Sequence, residues 1–98
     1  MKAVRSDWES AILVCGKCSK KLGGGFGKKG KTRLGKAVRQ LLGVRTGRRA
    51  SIGIVETRCL GVCPRNAVVV VDSRQPDSWM VVPKGDDLLA LVDRLRVG

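Results

Sequence analysis

Apolar and polar residues alternate along this chain with a rhythm that changes several times, and each change marks an element. Residues 11–14, AILV, are a short apolar run closed by Cys15-Gly16, which suits a buried strand. Over 31–43, KTRLGKAVRQLLG, Leu34, Val38, Leu41 and Leu42 share one helical face, and Lys31, Arg33, Lys36, Arg39 and Gln40 lie largely elsewhere. Gly43 is a suitable stop, so the pattern predicts a helix over 31–43. Residues 50–58, ASIGIVETR, alternate Ile52 and Ile54 with smaller or polar neighbours and read as a second strand. AVVVVD (67–72) is β-branched almost throughout and predicts a strand covered on both faces. The turn cluster SRQPDS then leads to WMVV (79–82), a fourth strand ending at Pro83. Asp86 and Asp87 open a last helix with the stripe Leu88, Leu89, Val92 and Leu95. Its acids lie at the positive end and Arg94 and Arg96 at the negative end.

Between 16 and 30 the pattern fails. Six glycines and five lysines in that stretch predict loop and nothing more. Residues 1–9 read as a flexible lead-in to one domain over 10–98, since 98 residues leave no room for a second core. The predicted order is β-α-β-β-β-α, an α/β fold with two helices and a small mixed four-stranded sheet. Strand, helix and strand in succession imply a right-handed crossover and parallel pairing of the first two strands. Their C-terminal ends then share one sheet edge, where open α/β sheets place their ligands.

Composition narrows the function. Trp8, Phe26 and Trp79 are the only rings, which disfavours base-stacking platforms for single-stranded nucleic acid. No stretch approaches the roughly 20 apolar residues of a membrane span. The N-terminus lacks the apolar region and cleavage site of a signal peptide, so a cytoplasmic location is the default expectation. Cysteines in such a chain read as metal-binding or catalytic before they read as disulfides. The net charge is +12, and residues 17–49 hold twelve of the twenty Lys and Arg with no acid among them. This asymmetry fits an acidic partner, either protein or nucleic acid, and equally fits a solvated basic face.

The sharpest signal is the cysteine spacing. Cys15 and Cys18 (C-x2-C) follow the first strand, Cys59 and Cys63 (C-x3-C) follow the second, and the chain has no histidine. Four thiolates suit a tetrahedral zinc or an iron–sulfur cluster, and two pairs match the two irons of a [2Fe–2S] centre. The stretch between the pairs is longer than a zinc ribbon uses. Thiol–disulfide exchange by CGKC is a third chemistry. It draws on a helix N-terminus to activate the thiol, and the predicted helix lies too far from Cys18 for that.

The segment 11–96 resembles the thioredoxin-like [2Fe–2S] ferredoxins and related small metal-binding proteins. ILVCGKC is similar to that family's opening strand and first cysteine. RCLGVCPRNAVVVV is similar to its second pair and valine-rich strand, and WMVVPKGDDLLALVDRL to its closing strand and helix. The resemblance implies a thioredoxin-like fold and a cluster ligated by Cys15, Cys59 and Cys63. Cys18 departs from the many members whose second early cysteine lies farther along, and is expected here as the fourth ligand beside Cys15, Cys59 and Cys63. An electron carrier, not an enzyme, is implied, with an acidic redox partner, no membrane and room for a homodimer. The alternative is a zinc-binding structural module whose basic face contacts nucleic acid, the less favoured partner.

One motif competes. Gly25 to Thr32 matches G-x-x-x-x-G-K-[ST], the phosphate-cradling loop of nucleotide hydrolases. About ten residues separate it from the preceding strand and the chain is too short for the usual nucleotide-binding sheet. The expected role of the loop is to cover the metal site with its lysines.

Overall fold

A computed structural model describes residues 1–27 and 29–97, without the side chains of 96 and 97. The elements run β1 (Ser10–Cys15), α1 (Gly16–Leu22), α2 (Leu34–Leu42), β2 (Ile52–Thr57), β3 (Ala67–Asp72), β4 (Met80–Pro83) and α3 (Leu88–Val97). Arg96 as a helix-end charge, the Lys28 position of the glycine loop and the last residue of the 10–98 domain lie outside the described residues.

The four strands form one mixed sheet in the order β2-β1-β3-β4. β1 and β2 pair in parallel from Ser10↔Ile52 to Cys15↔Thr57. β3 runs antiparallel to both β1 and β4. The sheet therefore has two rims. One carries Cys15, Thr57, Ala67 and Pro83; the other carries Ser10, Ile52, Asp72 and Met80.

The predicted two-helix thioredoxin-like order is not what forms. Two helices follow β1 in succession, giving β-α-α-β-β-β-α, where a thioredoxin-like chain alternates β-α-β-α-β-β-α. The additional helix is α1, inside the stretch expected to be loop. Five of the six glycines of that stretch fall at or after position 23, so GKCSKKL carries only Gly16 and can coil. Gly23, at φ 63°, ends α1 in the left-handed conformation and donates its amide to the Lys20 carbonyl. Gly16 is required for a different reason. A Cβ there would stand 2.5 Å from the Thr57 carbonyl oxygen, so α1 lies against the end of β2 at backbone distance.

All six residues of β3 are buried, as a central strand demands. Ile12, Val14, Val68 and Val70 of the sheet join Phe26, Leu34, Ala37, Val38, Leu91 and Leu95 in one core. The helix faces differ from the stripes predicted for them. Leu41 of α2 and Leu89 of α3 are 43% and 62% exposed, and Ala37 and Leu91 are buried in their place. Asp87 accepts the Leu89 amide at 3.0 Å and so opens α3. At the other end of that helix, Arg74 donates to the Leu95 carbonyl and grips Asp72 through Nη2 at 2.8 Å. Residues 5–9 run beside 47–51: the Trp8 indole donates to the Gly47 carbonyl at 2.9 Å and the Asp7 amide to the Arg48 carbonyl at 2.7 Å. Among the described residues no helix is long and apolar enough to cross a membrane.

Candidate four-cysteine site

All four cysteines lie at the rim where β1 and β2 end. Cys15 is the last residue of β1 and the N-cap of α1, and Cys18 falls in the first turn of that helix. Both are buried, whereas Cys59 and Cys63, on the loop after β2, are exposed. That loop turns on Gly61 at φ 90° and on Cys63 itself, which holds φ 50°, a strained value for a residue with a Cβ. The Gly61 amide points at the Cys59 sulfur, 3.4 Å away, and the Cys59 and Cys63 sulfurs are 3.7 Å apart.

That last distance has chemical content. A disulfide would need about 2.05 Å, so no bond joins these two sulfurs. Two thiolates each about 2.3 Å from one tetrahedral ion would stand roughly 3.7–3.8 Å apart. The Cys59–Cys63 separation matches that value, and it is equally the contact distance of two thiols sharing a hydrogen bond.

The inner pair differs electrostatically. Burial alone pushes the Cys15 thiol up, but the amides of Cys18, Leu60 and Lys17 and the Cys18 thiol together outweigh it and leave Cys15 below its ordinary range. Those α1 amides sit too loosely to make a side-chain cap, yet they favour a thiolate. Cys18 moves the other way. Burial pushes it up, as do the neighbouring charges of Cys15 and Cys63, against a hydrogen bond from the Val69 amide. The Leu60 amide near Cys15 and the influence of Cys63 on Cys18 show that the two pairs, distant in sequence, sit beside each other. Cys18 and Cys63 also share the wall of a cavity of about 320 Å³, together with Lys17, Lys21 and Pro64.

Among the described residues no three or more His, Cys, Asp or Glu stand together as a closed metal-holding group. The arrangement is two pairs at one rim with Cys18 and Cys63 on a shared cavity wall; the outer pair has its sulfurs in contact, and in the inner pair Cys15 alone favours a thiolate. The donor set is sulfur only, which fits zinc or an iron–sulfur centre and no hard cation.

Two features escaped the sequence reading. The first is α1, which supplies the helix N-terminus beneath CGKC. Gly23-Gly24 just beyond Leu22 was the available signal, as a helix stop. The second is Ser19, fully buried beside Cys18, whose hydroxyl finds no partner among the described residues; no sequence signal marks it.

The glycine loop has its own explanation. Phe26 and Thr32 exchange backbone hydrogen bonds at 3.0 and 2.9 Å, and the amides of Gly25 and Gly30 donate to Gly30 and Gly27. These amides close a small hairpin and are not free to cradle phosphate. A Cβ at Gly24 would stand 2.5 Å from the Lys31 carbonyl oxygen, so the hairpin itself demands glycine. Among the described residues the loop lines no part of the cysteine cavity either. Lys29 and Lys31 line a different cleft, of about 620 Å³, against α2 and the start of α3. The cations at the cysteine cavity, Lys17 and Lys21, come from α1.

Comparison with protein-family models, curated proteins and solved structures finds no match to this chain. Together with the order β-α-α-β-β-β-α, this removes the expected assignment to the thioredoxin-like ferredoxins. The case for the site rests on the chain's own residues.

Proposed function

We propose that the chain holds one [2Fe–2S] cluster through Cys15, Cys18, Cys59 and Cys63 and acts as a small electron carrier. The observation that carries this reading is the 3.7 Å separation of the Cys59 and Cys63 sulfurs, beside a cavity that Cys63 shares with Cys18. When bound, a cluster of this kind accepts and releases single electrons. The protein's part is to supply thiolates and nearby positive charge. The amides around Cys15 lower the cost of its ionisation, and Lys17 and Lys21 offset the negative charge gathered by four thiolates. The exposure of Cys59 and Cys63 leaves one side of the centre within reach of a partner.

A single zinc ion in a structural or nucleic-acid-binding module is the second reading, because the same sulfur separation suits one Zn²⁺. Anaerobic reconstitution followed by iron, sulfide and zinc analysis separates the two. Iron and sulfide in equal amounts, lost in Cys18→Ser and Cys63→Ser, are expected for the cluster. One zinc per chain without sulfide overturns the electron-carrier reading.

A further inference from the structure

The positive charge of this chain is not evenly free. Along α2 and in the loop after it, several cations are engaged internally. Arg33 pairs with Glu56 at 3.1 Å, Arg39 donates to the Ile54 carbonyl at 3.2 Å, and Arg49 lies 3.8 Å from Asp7. Around the cysteines, among the described residues, five cations gather without such a partner. Lys17, Lys20 and Lys21 stand at helical spacing on one face of α1, and Arg58 and Arg65 flank the Cys59–Cys63 turn. All five are exposed, and among the described residues none has a carboxylate partner.

Helix stability does not account for this cluster. Lys20 and Lys21 suit the last turn of α1, but Lys17 lies in the first turn, where the macrodipole opposes a cation. Like charges three and four residues apart also repel. Nor does the centre account for it: five cations exceed the roughly two negative charges left on a cluster or zinc ion held by four thiolates. At the middle of the turn, between the two exposed cysteines, Val62 projects with 49% of its surface in water. An apolar point ringed by unpaired cations has the anatomy of a protein contact with a polar rim. The only two indoles, Trp8 and Trp79, belong to the opposite rim, so no ring stands here for a base to stack on.

We propose that the exposed face of α1 and the 58–65 loop dock an acidic protein, Val62 entering an apolar spot on it while Lys17, Lys20, Lys21, Arg58 and Arg65 meet its carboxylates. The partner's identity as an electron donor or acceptor rests on the cluster reading; the surface itself does not.

The probe is a synthetic peptide of Glu and Asp with a central Leu, joined to the full chain by zero-length carbodiimide coupling and mapped by mass spectrometry. Metal and sulfide are measured on the same preparation. Coupling should concentrate at Lys17, Lys20 and Lys21 over Lys2 and Lys36, and should vanish near ~0.5 M salt. Arg58→Glu with Arg65→Glu should weaken peptide affinity about tenfold, beyond the effect of Lys36→Glu with Arg45→Glu, which changes the net charge equally. Coupling spread evenly over all lysines, or equal effects of the two double variants, overturns the proposal. Tighter binding of duplex DNA than of the peptide at this face also overturns it. Preserved mapping on a preparation that takes up one zinc and no sulfide supports the surface and removes only the electron-carrier reading.

Discussion

The same substitution, glycine to alanine in a helix, should have opposite signs at Gly16 and Gly35. Gly16 is the first residue of α1 and Gly35 the second of α2, and neither has a positive φ, so in both the exchange reduces the freedom of the unfolded chain. In a helix interior that gain is at most about 1 kcal/mol. At Gly35 the added methyl would meet Ile54 Cγ2 at 3.7 Å, an ordinary contact, and the gain stands. At Gly16 it would lie 2.5 Å from the Thr57 carbonyl oxygen, roughly an ångström inside contact distance. The obstacle is backbone, and Thr57 is the register partner of Cys15, so α1 cannot retreat without loosening β1 from β2. Because the obstacle is backbone and cannot give, the upper part of the range for overpacking applies, about 2–3 kcal/mol, which after a gain of about 1 kcal/mol leaves Gly16→Ala about 1–2 kcal/mol less stable than the parent. For a domain of this size each kcal/mol moves Tm by about 4–8 °C. Thermal unfolding followed by circular dichroism should therefore show Gly16→Ala falling by about 4–16 °C and Gly35→Ala rising by a few degrees. Because Cys18 rides on α1, Gly16→Ala should also retain less metal after reconstitution. Equal Tm values for Gly16→Ala and the parent, with undiminished metal, would refute the close approach of α1 to β2 as the reason for this glycine.

Acid sensitivity should depend on the clamp at the far rim. Burial pushes the Asp72 carboxyl up, but the hydrogen bonds and charge of Arg74 outweigh it, so its pKa is lowered on folding. Its contribution to stability is then present above the unfolded value near 3.9 and is lost as pH falls through the folded value. Arg74→Leu strands a carboxylate whose side chain is 8% exposed and should cost about 2–3 kcal/mol at neutral pH. With Arg74 gone, burial raises the Asp72 pKa, so the deficit should shrink on acidification toward pH ~3, read by urea unfolding at several pH values. A deficit that grows with acid would contradict the assignment. Nucleotide binding is expected to be negligible for the parent and Lys31→Ala alike in ATP and GTP titrations, because the amides of Gly25, Phe26, Gly30 and Thr32 are already donors within the hairpin.

Much of the sheet was legible because strands leave short, local marks. β3 is the valine run itself, and β1, β2 and β4 depart from their predicted spans by no more than two residues at either end. Parallel pairing of β1 with β2 followed from the crossover alone. The helix count was not legible, since a window over 16–30 averages seven helical residues with the glycines that follow them. Which apolar residues of α2 and α3 turn inward was only half legible. Leu41 and Leu89 fit a stripe on paper, but Ala37 and Leu91 hold the positions that the neighbouring helix and sheet cover. For the site, strand direction alone brought both cysteine pairs to one rim, as expected. Their division into a buried pair and an exposed pair depends on α1, so it could not be read before that helix was known. The hairpin in the glycine loop was hidden for a related reason: its glycines serve contacts between residues on its two arms, and they reproduce a phosphate-loop pattern without its free amides.

The entry of β1 and the exit of α3 at the rim away from the cysteines have a practical side. Residues 5–9 lie beside 47–51 at that rim, and the Leu95 carbonyl is held there by Arg74. An affinity handle or electrode tether fixed to either end would thus present the thiols outward, toward solution. Immobilised in that orientation, the molecule would keep its cysteine rim unobstructed, and the indoles near the anchor would report on attachment.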